Sequence, residues 1–338
     1  MKELKIEKVV FGGYGLAFDE EGTYFIENAL PGDKIIPEIT KKRKKTYFGK
    51  ISEIISASPE RTKPLCKYFG KCGGCQWLNF NYNAQLNSKT EIVKEQLKRI
   101  GNIETEVNPI ISGGEQFEYR TKMEFALQKD SNNYILGLKE RNSNNAININ
   151  HCPISPNVFD KIRNSVFDVI KKLEIPVYNK NNKTDGLKHV VIRKSFSTGK
   201  TMLILVTNKE TFPKEKEFKE ELSSKIDIDS VIHVINSSDA VTLRGPYKTW
   251  KGKGVLEEEF DGFTFQISPT SFFQNNYYTT QKMLHFLRDY MKTKNLKEKT
   301  LLDLYCGVGL FSNYLAPFFK TSTGVEIAKQ SIKAATSN

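Results

Sequence analysis

The nine residues 301–309, LLDLYCGVG, constrain this chain more than any other stretch of its sequence. A short apolar run that reads as a buried strand passes straight into a G-x-G turn, and a helical pattern, LFSNYLAPFF, starts directly behind it. A second strand (321–327, TSTGVEI) and the start of another helix (328–338) follow. Upstream, 263–268 (FTFQIS) reads as a strand and 274–291 as a helix. Strands alternating with helices predict a parallel, doubly wound sheet.

Glycines in such a turn let the backbone approach a ligand, and the helix behind it offers unpaired N–H groups. The spacing lacks the third glycine of a dinucleotide fingerprint. Glu326 closes the next strand, where a carboxylate can accept hydrogen bonds from two ribose hydroxyls. Asp303-x-x-x-Gly307-x-Gly309 with that strand-end acid suits S-adenosylmethionine better than a nicotinamide cofactor. The alternative is a tight strand–helix turn with no ligand.

The cysteines form a second constellation. Five is an odd count, and the N-terminus, MKELKIEKVV, has no apolar export segment, so a disulfide scaffold is not expected. Cys66, Cys72 and Cys75 are spaced C-x5-C-x2-C, with Gly73-Gly74 supplying a tight turn, and Cys152 follows far along the chain beside Pro153. Three near sulfurs and a remote Cys-Pro are one way of holding a [4Fe–4S] cluster. Structural zinc, which favours two short Cys-x-x-Cys knuckles, and uncoordinated thiols are the alternatives. His151 is either a substitute ligand or a surface histidine. Trp77 and Phe80 are placed to cover a cluster from water.

Residues 1–58 read as short strands between glycine turns, which suits a small Greek-key barrel of the OB type. Between residues 34 and 50 stand Lys34, Lys41, Lys42, Arg43, Lys44, Lys45 and Lys50 against Glu38 alone. The whole chain carries a formal net charge of +12. Both features predict an anionic partner. Tyr14, Phe18, Tyr24, Phe25, Tyr47 and Phe48 are candidate stacking platforms for bases, or else rings of the barrel core. The central region predicts helices at 83–100, 159–173 and 213–226 among several strands, with a polar loop at 179–185. No run of 18 apolar residues exists, so no membrane helix is expected. The fold class is therefore a mixed α/β and β multidomain chain. It has an OB-like barrel at 1–58, a cysteine-bearing α+β domain at 59–262 and a partial Rossmann-like fold at 263–338.

In order along the chain, these pieces resemble the RNA 5-methyluridine methyltransferases, the bacterial 23S rRNA/tRNA uracil-C5 family. The resemblance runs from a TRAM-like barrel through C-x5-C-x2-C-x-W (66–77), YRTKMEF (119–125) and Cys152-Pro153. It continues with SPTSFFQNN (268–276), LLDLYCGVG (301–309) and GVE (324–326). The iron–sulfur branch acting on ribosomal RNA fits better than the tRNA branch. The resemblance implies that Gln274, Tyr305 and Glu326 contact S-adenosylmethionine. Gln274 reaches the methionine end near the methyl group, Tyr305 lines the pocket and Glu326 holds the ribose. It implies that Cys66, Cys72, Cys75 and Cys152 ligate the cluster. RNA is the implied partner, rRNA ahead of tRNA, with a cytoplasmic location and no membrane or protein partner.

In that family a cysteine thiolate adds to uracil C6, C5 takes the methyl group from the sulfonium, and a base removes the C5 proton as the thiolate leaves. The target uridine leaves its stack to be reached. The family's nucleophilic cysteine stands beyond a D-P-P-R-x-G segment that this chain does not contain, and Cys306 is not at that position. No catalytic residue is assigned. The expectation is an enzyme whose catalytic C-terminal part is missing, inactive as it stands, with a short sheet leaving an open apolar edge. The alternatives are a non-catalytic RNA-binding iron–sulfur protein and, disfavoured by C-x5-C-x2-C, a radical S-adenosylmethionine enzyme.

Overall fold

Glycine turns separate the first strands as expected: β1 (Leu4–Lys5), β2 (Lys8–Val9), β3 (Tyr14–Asp19), β4 (Gly22–Glu27), β5 (Lys34–Arg43) and β6 (Thr46–Ser56). They pair in the order β1-β5-β6-β4-β3-β2, with β4 and β6 parallel and the other neighbours antiparallel. Because β1 and β2 are two pieces of one interrupted first strand, the ladder closes on itself, which is the OB barrel's way of removing its edges. The computed structural model describes residues 2–131, 133–179, 181, 184–238 and 242–338. Of the polar stretch at 179–185, residues 180, 182 and 183 lie outside the described residues, while Asn179 and Thr184 pair in an isolated bridge.

Backbone contacts divide the chain into two units, Met1–Ser112 with Glu140–Ser143, and Gly113–Lys139 with Asn144–Asn338. In the first, the barrel core holds Leu4, Ile6, Ala17, Tyr24, Ile26, Ile35 and Tyr47. Tyr24 and Tyr47 stack at 4.6 Å, so two of the six candidate stacking rings fill the core instead. Asp33, fully buried, accepts from the amides of Leu30 (2.7 Å) and Ser58 (2.8 Å) and from Arg61, tying the barrel's exit to the loop that follows. Helix α1 (Tyr82–Arg99) is capped by the Asn81 side chain, which accepts from the amides of Asn83 and Ala84. Trp77 and Phe80, expected to shield the cysteines, instead pack with Val9, Leu30 and Ala84 between barrel and helix.

The second unit begins with β7 (Lys122–Asp130), β8 (Asn133–Lys139), β9 (Ala146–Asn148), α2 (Asn157–Lys172) and β10 (Leu187–Lys194). It continues with β11 (Thr201–Thr207), α3 (Glu215–Lys225), β12 (Ser230–Ile235) and β13 (Tyr247–Lys251). The strands form one sheet, β13-β12-β11-β10-β7-β8-β9, in which β11 and β12 are parallel and joined by α3. All seven residues of β11 are buried, so both sheet faces are covered. The hairpin β14 (Leu256–Phe260) and β15 (Phe263–Ile267) follows, then α4 (Tyr277–Lys292), β16 (Thr300–Leu304), α5 (Leu310–Leu315), β17 (Thr321–Val325) and α6 (Lys329–Ser337). Met202, Ile204, Val206, Ile232 and Val234 share one core with Phe260, Phe265, Phe273, Leu284 and Leu310. Residues on both sides of the boundary expected at 262–263 thus bury one another. The parallel pairing of β16 with β17 is the one the strand–helix alternation predicts. Leu302, Leu304 and Val325 of that pair are at least half exposed.

His233, fully buried on β12, lies on the opposite sheet face, edge-on to Phe212. The Thr207 hydroxyl donates to the Lys209 carbonyl (2.6 Å) and so accepts from His233 Nε2–H (2.6 Å), leaving Nδ1 buried without a partner. Burial holds this imidazole down to about 4, against 6.5 in the unfolded chain. The unfolded chain therefore binds a proton that the fold refuses. Stability is complete above about pH 6.5 and falls as pH drops toward 4, by up to about 3 kcal/mol. Urea titrations across that range are expected to show this loss, and His233→Gln to remove most of it.

Candidate donor site

The turn after β16 is built from unusual backbone. Tyr305, Gly307 and Gly309 have φ of 64°, 56° and 80°, a left-handed run that turns the chain sharply into α5. A Cβ on Gly307 would meet nothing within 4 Å, so the space over the turn is open. Cys306 N donates to the Val325 carbonyl at 3.1 Å, binding the turn to the end of β17. Glu326, one residue beyond β17, accepts from the Gly307 amide at 3.2 Å and from the Ala328 amide at 2.8 Å. Asp303, the motif's first acid, accepts from the Ser312 amide at 3.1 Å and ties α5 to β16. Tyr305 is 89 % exposed and Ile327 is 96 % exposed, two large apolar side chains flanking the open turn. The structure thus brings Tyr305 and Glu326 to one place.

Gln274 arrives on the SPTSFFQNN loop, whose residues divide the work. Phe273 is buried in the core and anchors the loop. Asn275 accepts from the Lys122 amide at 3.0 Å, and its carbonyl accepts from the Thr121 amide at 3.1 Å. Asn276 caps α4 by accepting from the Thr279 amide. The Gln274 carbonyl accepts from the Thr121 hydroxyl at 2.9 Å. Gln274 is half-buried. Thr270, on the same loop, donates to Gln330 in the first turn of α6. The loop that carries Gln274 therefore leans on the helix that starts just past Glu326.

Sequence reasoning missed Arg193. It is buried on β10 and donates to the Ser271 carbonyl at 2.6 Å and the Pro269 carbonyl at 3.4 Å, clamping the loop from below. Burial pushes this guanidinium down to about 10, against the pull of Glu124. An arginine inside the apolar run HVVIRK was the available signal.

Cys306 is buried beneath the turn. A Cβ on Gly324 would stand 2.7 Å from its sulfur, so β17 needs glycine there. Burial, with Asp303 and Glu326 beside it, pushes the thiol up. A thiol kept protonated and covered is a poor nucleophile, which agrees with leaving Cys306 out of the chemistry.

The other cysteines fit a cluster in kind. Cys66, Cys72 and Cys75 lie on consecutive turns of the loop before α1. Cys72 Sγ accepts from the Gly74 amide at 3.4 Å, the sort of bond that supports a ligating thiolate. In the second unit, the carbonyl of buried Cys152 accepts from both the amide and the hydroxyl of Ser155 at 3.0 Å. His151 bonds Asp160 through Nδ1 at 2.6 Å, so its ring is already engaged. The gathered thiolate cage expected from the spacing is not seen. Among the described residues no three or more His, Cys, Asp or Glu side chains are grouped so as to hold a metal ion. Nor is any described helix long and apolar enough to cross a membrane.

An open turn at the carboxyl ends of parallel strands, with an acid one strand along, is where doubly wound folds take a nucleoside. The parallel β16–β17 pair with its flanking helices is a Rossmann-like unit on a larger scaffold. The tRNA (uracil-5-)-methyltransferase family pattern matches residues 81–338. A Thermotoga maritima protein named as an RNA methyltransferase is 39 % identical over 341 residues, covering 100 % of this chain and 76 % of its own. A Staphylococcus epidermidis protein of the same description is 33 % identical, covering 99 % and 75 %. Among solved structures, the Pyrococcus abyssi tRNA (uracil-54, C5)-methyltransferase in complex with S-adenosyl-L-homocysteine superposes with a TM-score of 0.74. Its identity is 26 %, and the match covers 99 % of this chain and 75 % of that one. This chain belongs to the tRNA (uracil-5-)-methyltransferase family. The family pattern includes the glycine turn, and this chain spans about three quarters of the length of those relatives.

Proposed function

We propose that this chain binds S-adenosylmethionine at the 305–309 turn and serves the methylation of uracil C5 in RNA. The single observation that carries the reading is the Glu326 carboxylate beside the open Gly307 turn, at the carboxyl ends of β16 and β17. In that site Glu326 holds the ribose hydroxyls, Tyr305 lines the pocket, and Gln274 serves the methionine end. The bound donor supplies an electrophilic sulfonium methyl group. The family name and the named substrate of the Pyrococcus abyssi enzyme favour tRNA over the 23S rRNA expected from sequence.

Equilibrium binding of methyl-tritiated donor in the presence of unmodified transcripts of both RNAs tests this. Retention of the donor together with the tRNA is expected. Retention with the rRNA alone would restore the earlier substrate. Retention of neither donor nor RNA would refute the reading.

The barrel is read as a TRAM-type RNA-binding domain, supported by its OB strand order and the basic stretch at 41–45. Cys66, Cys72, Cys75 and Cys152 are read as the thiolates of a [4Fe–4S] cluster, supported by their spacing and by the hydrogen bond that the Gly74 amide donates to Cys72 Sγ. Protein purified without oxygen is then expected to be brown, and Cys72→Ser to lose the colour. Colourless protein with one bound zinc would overturn that assignment.

A further inference from the structure

Between the barrel and the end of α1 lies a cleft of about 530 Å³, lined in part by Phe11, Phe18 and Phe25 on one side and Gln96, Arg99 and Ile100 on the other. We propose that this cleft is a stacking subsite for an unpaired base of single-stranded RNA, whose phosphates run over the adjoining basic hairpin. The inference rests on the RNA-binding part of the proposed function.

Phe11 is 81 % exposed and Phe18 is 46 % exposed, so these rings serve no core. Phe11 was not among the rings expected from sequence to stack. The volume falls within the roughly 300–1,000 Å³ of small-ligand sites. Polar groups on the α1 side can serve a base edge. Gln96 is exposed, and Arg99 is exposed and in no ion pair among the described residues. Glu95 is the acid among the lining residues, and Lys8 neutralises it.

Charge selects the occupant. Lys41, Lys42, Arg43, Lys44 and Lys45 form the exposed end of the β5–β6 hairpin, and none is ion-paired among the described residues. The hairpin adjoins the cleft directly. Thr46, the next residue, lines it, and so does Thr23, whose amide donates to the Lys45 carbonyl at 2.9 Å. Exposed aromatic faces beside a run of cations match a polyanion that also carries flat apolar bases. An acidic peptide would use the cations but leave the rings idle.

The test uses the full chain and a fluorescein-labelled oligouridylate of about 12 nucleotides, within the span of an OB barrel. An RNA duplex of the same length is the control. Phe11→Ala and Phe18→Ala are each expected to weaken oligouridylate binding by about tenfold, with an unchanged salt slope, an unchanged melting temperature and little effect on the duplex. Phe18→Trp is expected to keep the affinity. Changing Lys41, Lys42, Lys44 and Lys45 together to Gln is expected to lower the salt slope instead.

Unchanged oligouridylate affinity in both Phe→Ala variants, with the wild-type chain still binding RNA, would overturn the cleft and leave the wider reading intact. Equal losses for duplex and single strand would also overturn it, since a duplex offers no free base. A concentration-dependent dimer dissolved by either variant would mark the cleft as a contact between copies. No binding of oligouridylate or a tRNA transcript by the wild-type chain would overturn cleft and wider reading together.

Discussion

Glu326→Ala is expected to weaken S-adenosylhomocysteine binding by about 100-fold or more in a calorimetric titration. In the proposed site the carboxylate takes two charge-assisted hydrogen bonds from ribose hydroxyls, and such bonds contribute roughly 1.5–3 kcal/mol each. It also holds the Gly307 and Ala328 amides, so its removal loosens the turn as well. Glu326→Gln keeps one acceptor oxygen and is expected to lose about tenfold. Glu326→Gln keeps an acceptor for these amides, so it should leave the melting temperature unchanged and separate the ribose contact from the loosened turn. A loss under threefold for the alanine variant would place the ribose elsewhere.

Arg193→Met is expected to lower stability by about 4 kcal/mol, seen as a fall of about 10 °C in melting temperature. Methionine fills much of the arginine's volume, so little of the effect comes from a cavity. What is lost is the clamp: the Ser271 and Pro269 carbonyls lose a buried charged donor. The same substitution frees the SPTSFFQNN loop, and S-adenosylhomocysteine affinity measured well below the melting transition is expected to drop about tenfold. Arg193→Lys keeps a cation but only a single-point donor, and is expected to fall between the two. An unchanged melting temperature in the methionine variant would mean the loop is held by Phe273, Asn275 and Asn276 without the arginine.

What was legible in the sequence was local. Glycine turns marked the barrel strands, and apolar spacing placed α1 within a residue of its observed limits. The LLDLYCGVG run specified both a strand and the turn behind it, because each depends on neighbours in sequence. Closure of the barrel through β1 and β5 was not visible, since it joins residues about thirty positions apart with no local signature. The same limit hid the Arg193 clamp, where a β10 side chain meets carbonyls far along the chain. The donor residues were named through motif resemblance, and the structure adds how they are held. Phe273, Asn275 and Asn276 take the anchoring roles around Gln274. Trp77 and Phe80 lie against apolar residues of the barrel and α1, a packing that their nearness in sequence to the cysteines did not disclose. The cysteine spacing points to a cluster through the chemistry of its donors, and the described side chains do not gather into one.

Amide hydrogen exchange with and without S-adenosylhomocysteine tests the central claim most directly, because it reports where the donor sits. Slowed exchange confined to residues 305–309 and 326–328, with a smaller effect around Gln274, is the predicted result. Protection that leaves the glycine turn unchanged while appearing on another face of the chain would contradict it.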